Sequence, residues 1–171
     1  MQTLDKNLWE TSGARFNAAE RLARQSALSL YAGAALSLAA TMLGAATMLR
    51  PSAALTLAAM LASAVALAFS LIEASAGHGV KSERLHACAL RLRALMREAP
   101  ALGLEVATAR YAAITAECPD NHLPMDWALV HARRNRRGWR TELPYALAAY
   151  GWRAALLVAG LVGAAVPLWW V

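Results

Sequence analysis

Two long runs without charge dominate the pattern of hydrophobic and polar positions along the chain. Residues 26–49 form a run of 24 and residues 53–72 a run of 20, and neither contains Asp, Glu, Lys, Arg or His. As a helix at about 1.5 Å per residue, the first run is about 36 Å long and exceeds a hydrocarbon core of about 30 Å. Only residues 50–52 separate the runs, which predicts adjacent antiparallel helices, a transmembrane hairpin over residues 26–72. The alternative, a buried hairpin of a soluble protein, would normally show a polar face.

Small and hydroxylated residues fall on one side of each predicted hairpin helix when successive residues advance by about 100°. Small residues let helix backbones approach closely in lipid, where no hydrophobic force drives helices together. The same stripe could instead line a weakly polar pore formed by several copies. Both interpretations, a packing face and a pore face, stay open here. The candidate residues are Ser29, Gly33, Ser37, Thr41, Gly44, Thr56, Ser63 and Ser70.

Helical periodicity continues on both sides of the hairpin. Residues 1–25 predict an N-terminal cytoplasmic amphipathic helix, with arginines between its apolar positions and a break expected at residues 11–13. Residues 73–144 predict a basic cytoplasmic helical domain, in which an apolar stripe ending near Pro100 is followed by a second amphipathic helix. The expected architecture is therefore an all-α membrane protein with a helical domain beside its hairpin.

The C-terminal segment, residues 145–171, predicts a third transmembrane helix. It ends in 18 residues without charge, and a helix that begins near Tyr145 is long enough to span. Gly160 and Ala164 are spaced for close helix packing, and Trp169 with Trp170 suits a membrane interface.

Composition and charge agree with a membrane protein and predict its orientation. The chain is 58% hydrophobic and 16% charged, whereas about a quarter of the residues of a soluble domain are charged. Residues 73–143 hold Lys81 and ten arginines, while the hairpin turn holds only Arg50. The positive-inside rule therefore places the N-terminus and the basic domain in the cytoplasm and the C-terminus outside. Cys88 and Cys118 then lie on the reducing side, and we expect no disulfide.

A polar segment at residues 118–127 is the most distinctive local motif. Its two prolines, Asn and Asp indicate a turn, with Asp126 expected as the N-cap of the next helix and His122 near enough in sequence to hydrogen-bond with it. Cys118, His122 and Asp126 lack the second Cys or His pair of a metal site. No catalytic triad, acid–base pair or phosphate loop is present in the sequence. We expect no metal, no cofactor and no enzymatic activity, and keep a hydrolase that uses His122 and Asp126 as a minor alternative.

Arginines near the third apolar segment form the strongest charge cluster: Arg133, Arg134, Arg136, Arg137 and Arg140. Arginines beside an aromatic residue can hold phosphate and stack on bases, which raises nucleic-acid binding. Basic residues just before a membrane segment normally mark its cytoplasmic side and meet anionic lipid. We favour lipid over nucleic acid as the partner of this cluster.

Several features follow one another in a fixed order over about residues 10–135. An Arg-bearing helix and an uncharged hairpin precede a helix with Cys88 and Leu92, and then come Tyr111-x-x-Ile114, Pro119-x-Asn121-His122 and Asp126-Trp127. In this order they resemble the SLATT domain, a SMODS and SLOG-associating two-transmembrane effector. Trp127 stands where Tyr or Phe is expected, and the third apolar segment departs from a two-span pattern. The residues of the structural or signalling turn are Tyr111, Asn121, His122, Asp126 and Trp127.

The resemblance implies a membrane effector of a bacterial antiphage defence system. Such an effector is expected to form a homo-oligomer and to permeabilise the inner membrane when a sensor protein or a nucleotide second messenger triggers it, causing growth arrest or death. Its C-terminus would lie in the periplasm. The alternative is a non-pore membrane scaffold that recruits a cytoplasmic enzyme or nucleic acid through the basic segment.

Overall fold

A computed structural model of the chain describes residues 2–134 and 138–170, with side chains for residues 2–134 and 141–165. The described residues form six α-helices and no strand, which confirms the all-α prediction. Three helical segments, Gln2–Leu49, Ala53–Leu102 and Thr141–Ala165, are long and apolar enough to cross a membrane. The helices are α1 (Gln2–Leu49), α2 (Ala53–Ala76), α3 (His78–Leu102), α4 (Leu104–Ala116), α5 (Pro124–Arg134) and α6 (Gly138–Trp170).

The helix ends follow from local backbone chemistry. Between α1 and α2, Pro51 cannot continue a helix and Ser52 is extended, with φ −148° and ψ 129°. Gly77 ends α2 in the left-handed region at φ 61°, and Gly103 separates α3 from α4 at φ 78°. Both positions suit glycine because a Cβ is strained there. Helix α3, the first amphipathic helix of the basic segment, therefore continues past Pro100 and ends at Leu102.

The chain divides into two compact units. One, called the helical unit below, comprises Met1–Ala23 and His78–Ala146; the other, the hairpin unit, comprises Arg24–Gly77 and Leu147–Val171. Because α1 and α6 are single helices, each contributes residues to both units.

The helical unit packs the first part of α1 against α3 and α4. Its largest buried cluster joins Leu8 of α1 to Leu92 and Leu95 of α3 and Ala107 of α4. The expected break at residues 11–13 does not occur, because α1 continues through them. A Cβ at Gly13 would lie only 3.1 Å from a methyl group of Val130, so close packing against α5 offsets the low helix propensity of glycine.

The hairpin unit packs α1, α2 and α6 around a small apolar core. Ala32 and Leu36 of α1 meet Ala66 and Phe69 of α2, and α6 adds two leucines to this cluster. Large apolar side chains point away from the core, including Leu38, Leu57 and Leu71, which are 50%, 58% and 63% exposed. An exposed apolar surface of this kind suits contact with lipid.

Candidate functional site

A stripe of polar side chains runs along α1 at four-residue steps: Asn17, Arg21, Gln25 and Ser29. All four are buried. Residues four apart share a face of a helix, so the stripe is continuous along α1. Its first two members belong to a polar cluster of the helical unit, and its last two to contacts within the hairpin unit.

The polar cluster of the helical unit is centred on Asp126, whose side chain is fully buried. Arg21 binds its two carboxylate oxygens through Nε and Nη2, each at 3.0 Å. The Tyr145 hydroxyl lies 2.9 Å from Oδ1, and the backbone N–H of Leu123 donates to Oδ2 at 2.8 Å. The Asn17 amide donates to the backbone carbonyl of Asp126 at 3.0 Å. This arrangement satisfies a buried carboxylate by charge pairing and hydrogen bonds together.

The position of Asp126 in α5 differs from the expectation. Helix α5 begins at Pro124, so Asp126 is its third residue and not its N-cap. Its carboxylate reaches back to the N–H of Leu123, which is one half of a capping box, and proline suits the first position because it lacks an N–H. The described contacts include no hydrogen bond between His122 and Asp126; the backbone N–H of His122 donates to Asn121 Oδ1 at 2.9 Å.

Two thiols lie beside this turn, the buried Cys88 and the partly buried Cys118. Arg15 of α1, only 5% exposed, donates through Nη1 to the sulfur of Cys88. Burial, with a hydrogen bond to Cys88, raises the pKa of the Cys118 thiol to about 11. Burial and the nearby Arg15 charge lower the pKa of His122. Both cysteines are free thiols, and the described residues contain no group of three metal-ligating side chains.

The other residues of the expected signalling turn do not form one constellation with Asp126. The Tyr111 hydroxyl pairs with Thr11 of α1 at 3.0 Å. Trp127 is 44% exposed, and its ring centroid lies 4.0 Å from that of His131. Tyr111 thus joins α4 to α1, whereas the contact between Trp127 and His131 lies within α5.

The arginine cluster is described only in part. Arg133 pairs with Glu142 at 3.2 Å and also donates to Asn17, while Arg134 lies 5.3 Å from the centre of the Trp9 ring. These two arginines are therefore engaged within the helical unit. Arg136, Arg137 and the side chain of Arg140 lie outside the described residues, as do the side chains of Trp169 and Trp170.

A second charged cluster joins all three helices of the hairpin unit, and we call it the latch. Arg153 of α6 is 6% exposed; its Nε donates to Ser29 Oγ at 2.9 Å, and its Nη2 lies 3.0 Å from Glu73 Oε1. The Ser29 hydroxyl in turn donates to Glu73 Oε2 at 2.7 Å. Ser29 lies near the start of the first apolar run, Glu73 follows the second and Arg153 precedes the third. The N-terminal ends of the first and third apolar segments and the C-terminal end of the second therefore lie side by side.

The residues of the small face predicted from the hairpin sequence lie in several different environments. Ser29 lies in the latch, and Gly33 faces Phe69 at ordinary contact distance. Four further members line an open groove between α1 and α2 of about 410 Å³, whereas Gly44 has nothing within 4 Å of its Cβ position. Thr56 is exposed and bonds to its own helix. The residues of this hydroxylated groove are Ser37, Ala40, Thr41, Ser63, Ala66, Leu67 and Ser70.

Hydroxyl groups in the groove are satisfied within their own helices. Thr41 donates to Ser37 O at 2.9 Å, Ser63 to Ala59 O at 2.9 Å, and Ser70 to Ala66 O at 2.8 Å. Each oxygen keeps a lone pair for an outside donor. Such a surface is compatible with lipid, with a second helix and with water.

The sequence interpretation did not nominate six of the residues that form these contacts. They are Arg15, Asn17, Arg21, Glu73, Tyr145 and Arg153. The interpretation assigned Arg15 and Arg21 to a polar face, whereas both are buried. The four-residue spacing from Asn17 to Ser29 is the signal that could have revealed them, together with two single charges at the boundaries of apolar runs.

Comparison with protein families matches residues 1–168 to the SMODS and SLOG-associating 2TM effector domain family 5. This is a two-transmembrane effector domain associated with defence systems. The match confirms the resemblance seen in the sequence, and it extends through most of α6. Searches of curated proteins and of solved structures each found no match.

Proposed function

The chain belongs to the SMODS and SLOG-associating 2TM effector domain family 5, and from this membership we propose that it is an antiphage effector that oligomerises and permeabilises the bacterial inner membrane. A sensor protein or a nucleotide second messenger supplies the trigger, and growth arrest or death follows. The family's association with SMODS and SLOG partners supports a separate sensor. The helical unit, with its buried Asp126 cluster, receives the signal.

The hydroxylated groove is the observation that carries the proposal. It lies on the exposed side of the hairpin, where Ser37, Thr41, Ser63 and Ser70 stand among alanines. A neighbouring copy can approach closely along such small side chains. Oxygen atoms that face a shared lumen can accept hydrogen bonds from water without charged walls.

Orientation is part of the same proposal. The N-terminus and the helical unit lie in the cytoplasm, because positive charge concentrates in residues 73–143. The latch supports entry of α6 from the same side as α1, since Arg153 at the start of the third apolar run contacts Ser29 at the start of the first. The C-terminus is then periplasmic.

Inducible overproduction in bacterial cells with a voltage-sensitive dye tests permeabilisation. We expect the wild-type chain to depolarise the inner membrane, and Ser37→Leu to abolish depolarisation without loss of membrane insertion. Ala68→Leu is the matched control, because Ala68 is exposed on α2 and no groove residue lies three or four positions from it. A normal membrane potential at full expression of the inserted wild-type chain, together with no leakage from liposomes, would contradict the proposal.

The scaffold alternative makes the opposite prediction. Neutralising the arginine cluster would abolish function, and the groove variants would not. Arg133 and Arg134 already bind Glu142 and Trp9 within the helical unit, so the contacts of the two arginines whose side chains are described do not favour this alternative.

A further inference from the structure

We infer that the latch of Ser29, Glu73 and Arg153 holds α6 on the hairpin and keeps the proposed pore closed. This inference rests on the proposed function, because it assigns a closed state to that pore. It makes α6 a working part of the effector, although the family is described by two spans.

The charged side chains of the latch form an ion pair within the hairpin unit. Glu73 accepts from Arg153 at 3.0 Å and from Ser29 at 2.7 Å, and both charged side chains are at most 10% exposed. Charges at membrane depth are rare, and their function usually depends on the pairing. Loss of either partner removes the counter-charge that the other holds in this pair, and breaking a buried ion pair from one side is strongly destabilising.

Close backbone contact on the same side of α1 gives α6 a defined seat. A Cβ at Gly160 would lie 2.9 Å from the backbone of Ala35 and Leu36, so the helices touch there without an intervening side chain. One turn along, Gly163 faces the Cβ of Ala39 at 3.4 Å. Gln25 adds a hydrogen bond to Ala149 O at 2.8 Å. The latch therefore lies one turn from the Gln25 end of an α1–α6 contact that continues to Gly163.

The closed state follows from the position of Ser29. This residue is the first member of the small face, its side chain is buried, and its hydroxyl donates to Glu73 and accepts from Arg153. While α6 is seated, Ser29 cannot face water in a shared lumen. Breaking the ion pair allows Arg153, at the start of an apolar run, to reach the headgroups and frees this end of α6.

Variants that remove one charge each test the latch. The quantity measured is the expression level at which half of the cells are depolarised. We expect Glu73→Gln and Arg153→Gln each to lower this level by about tenfold, because the closed state loses its paired charge while the open state does not. The reciprocal exchange, Glu73→Arg with Arg153→Glu, restores the pair and returns the level toward that of the wild type. Arg50→Gln in the hairpin turn is the control for loss of a charge.

A cross-link measures the seating of α6 independently of any pore. Ala39→Cys with Gly163→Cys places two Cβ atoms 3.4 Å apart, close to the range of about 3.5–4.5 Å found in disulfides. After oxidation and unfolding in detergent, a chain with the disulfide takes up two maleimide-polyethylene glycol groups, on Cys88 and Cys118, and a chain without it takes up four. The two single-cysteine variants serve as controls.

We expect oxidation to prevent depolarisation by the double-cysteine chain and reduction to restore it. In a Glu73→Gln background the cross-link yield falls, and the charge exchange recovers it. Suppose that the wild-type chain depolarises cells but Glu73→Gln leaves the expression level for half-depolarisation unchanged. The latch is then not the closing contact, whether or not the cross-link yield changes. If the yield responds as expected but no chain depolarises cells or liposomes at any level, the proposed pore is wrong and the latch only seats α6.

Discussion

Removal of the Asp126 carboxylate gives the sharpest test of how the helical unit is held together. Asp126 is fully buried and accepts two bonds of 3.0 Å from Arg21, one of 2.9 Å from Tyr145 and one of 2.8 Å from the Leu123 N–H. Asp126→Ala leaves the Arg21 guanidinium buried without its counter-charge. Breaking a buried pair from one side costs about 3–5 kcal/mol in the free energy of unfolding.

Thermal unfolding of the full-length protein in detergent measures this loss. For a chain of this length, 1 kcal/mol corresponds to about 2–4 °C in Tm. The expected fall for Asp126→Ala is therefore about 6–20 °C. Arg110→Ala is the matched control, because its 3.2 Å pair with Glu98 is more than half exposed on both sides and should contribute at most about 1 kcal/mol.

A double-mutant cycle identifies the cause of the fall. Arg21→Met with Asp126→Ala removes both charges, so the double variant should be clearly more stable than the sum of the two single losses predicts. The coupling should reach about 1–3 kcal/mol. Strict additivity, or a fall in Tm for Asp126→Ala no larger than that of the Arg110→Ala control, would refute the assignment of this ion pair as the centre of the helical unit.

Three further measurements test separate contacts. Gly160→Ala should lower Tm by an overpacking cost of about 1–3 kcal/mol, since its Cβ meets α1 backbone at 2.9 Å, whereas Gly151→Ala, with nothing within 4 Å, should not. Burial and, to a smaller extent, the Arg15 charge lower the pKa of His122 below 6.5. The unfolded chain therefore binds more protons than the folded chain, and Tm should fall as pH drops below 6.5. His122→Gln should make Tm less dependent on pH, and an unchanged dependence would contradict this assignment. The Cys118 thiol has a pKa of about 11 against an ordinary 9.0. Mass spectrometry should therefore show that it reacts with iodoacetamide at pH 8 about a hundredfold more slowly in the folded chain than in the unfolded chain. Equal rates would contradict the raised pKa.

Local patterns were sufficient for the helices and for most of the core. The predicted apolar stripe of α3 comprised Leu85, Cys88, Leu92, Leu95 and Met96; the first four side chains are buried, and Met96 is partly buried against the same cluster. The predicted end near Pro100 was short by two residues, because the positive φ of Gly103 terminates the helix and proline does not. The predicted break in α1 was wrong because packing of Gly13 against Val130 compensates for weak propensity.

The candidate sites were predicted less completely. The hairpin residues were chosen as one small face, but the pattern along one helix did not separate Ser29, which faces charge, from Ser37, which faces an open groove. Angular position on a helix defines a direction, and only the neighbouring helices determine what lies there. Asp126 was chosen for a capping role, although its principal partner is Arg21, 105 residues away in sequence.

The sequence by itself determined the membrane class, the three apolar segments, the family and the concentration of positive charge beside the hairpin. These are sums over consecutive residues, and the free energy of transfer to lipid depends on such sums. Only the tertiary structure decided that Arg21 and Arg153 are buried, and that Asp126 and Glu73 neutralise them. The cost of a buried charge depends on an opposite charge within a few ångströms, and distance in space is not contained in the spacing along the chain.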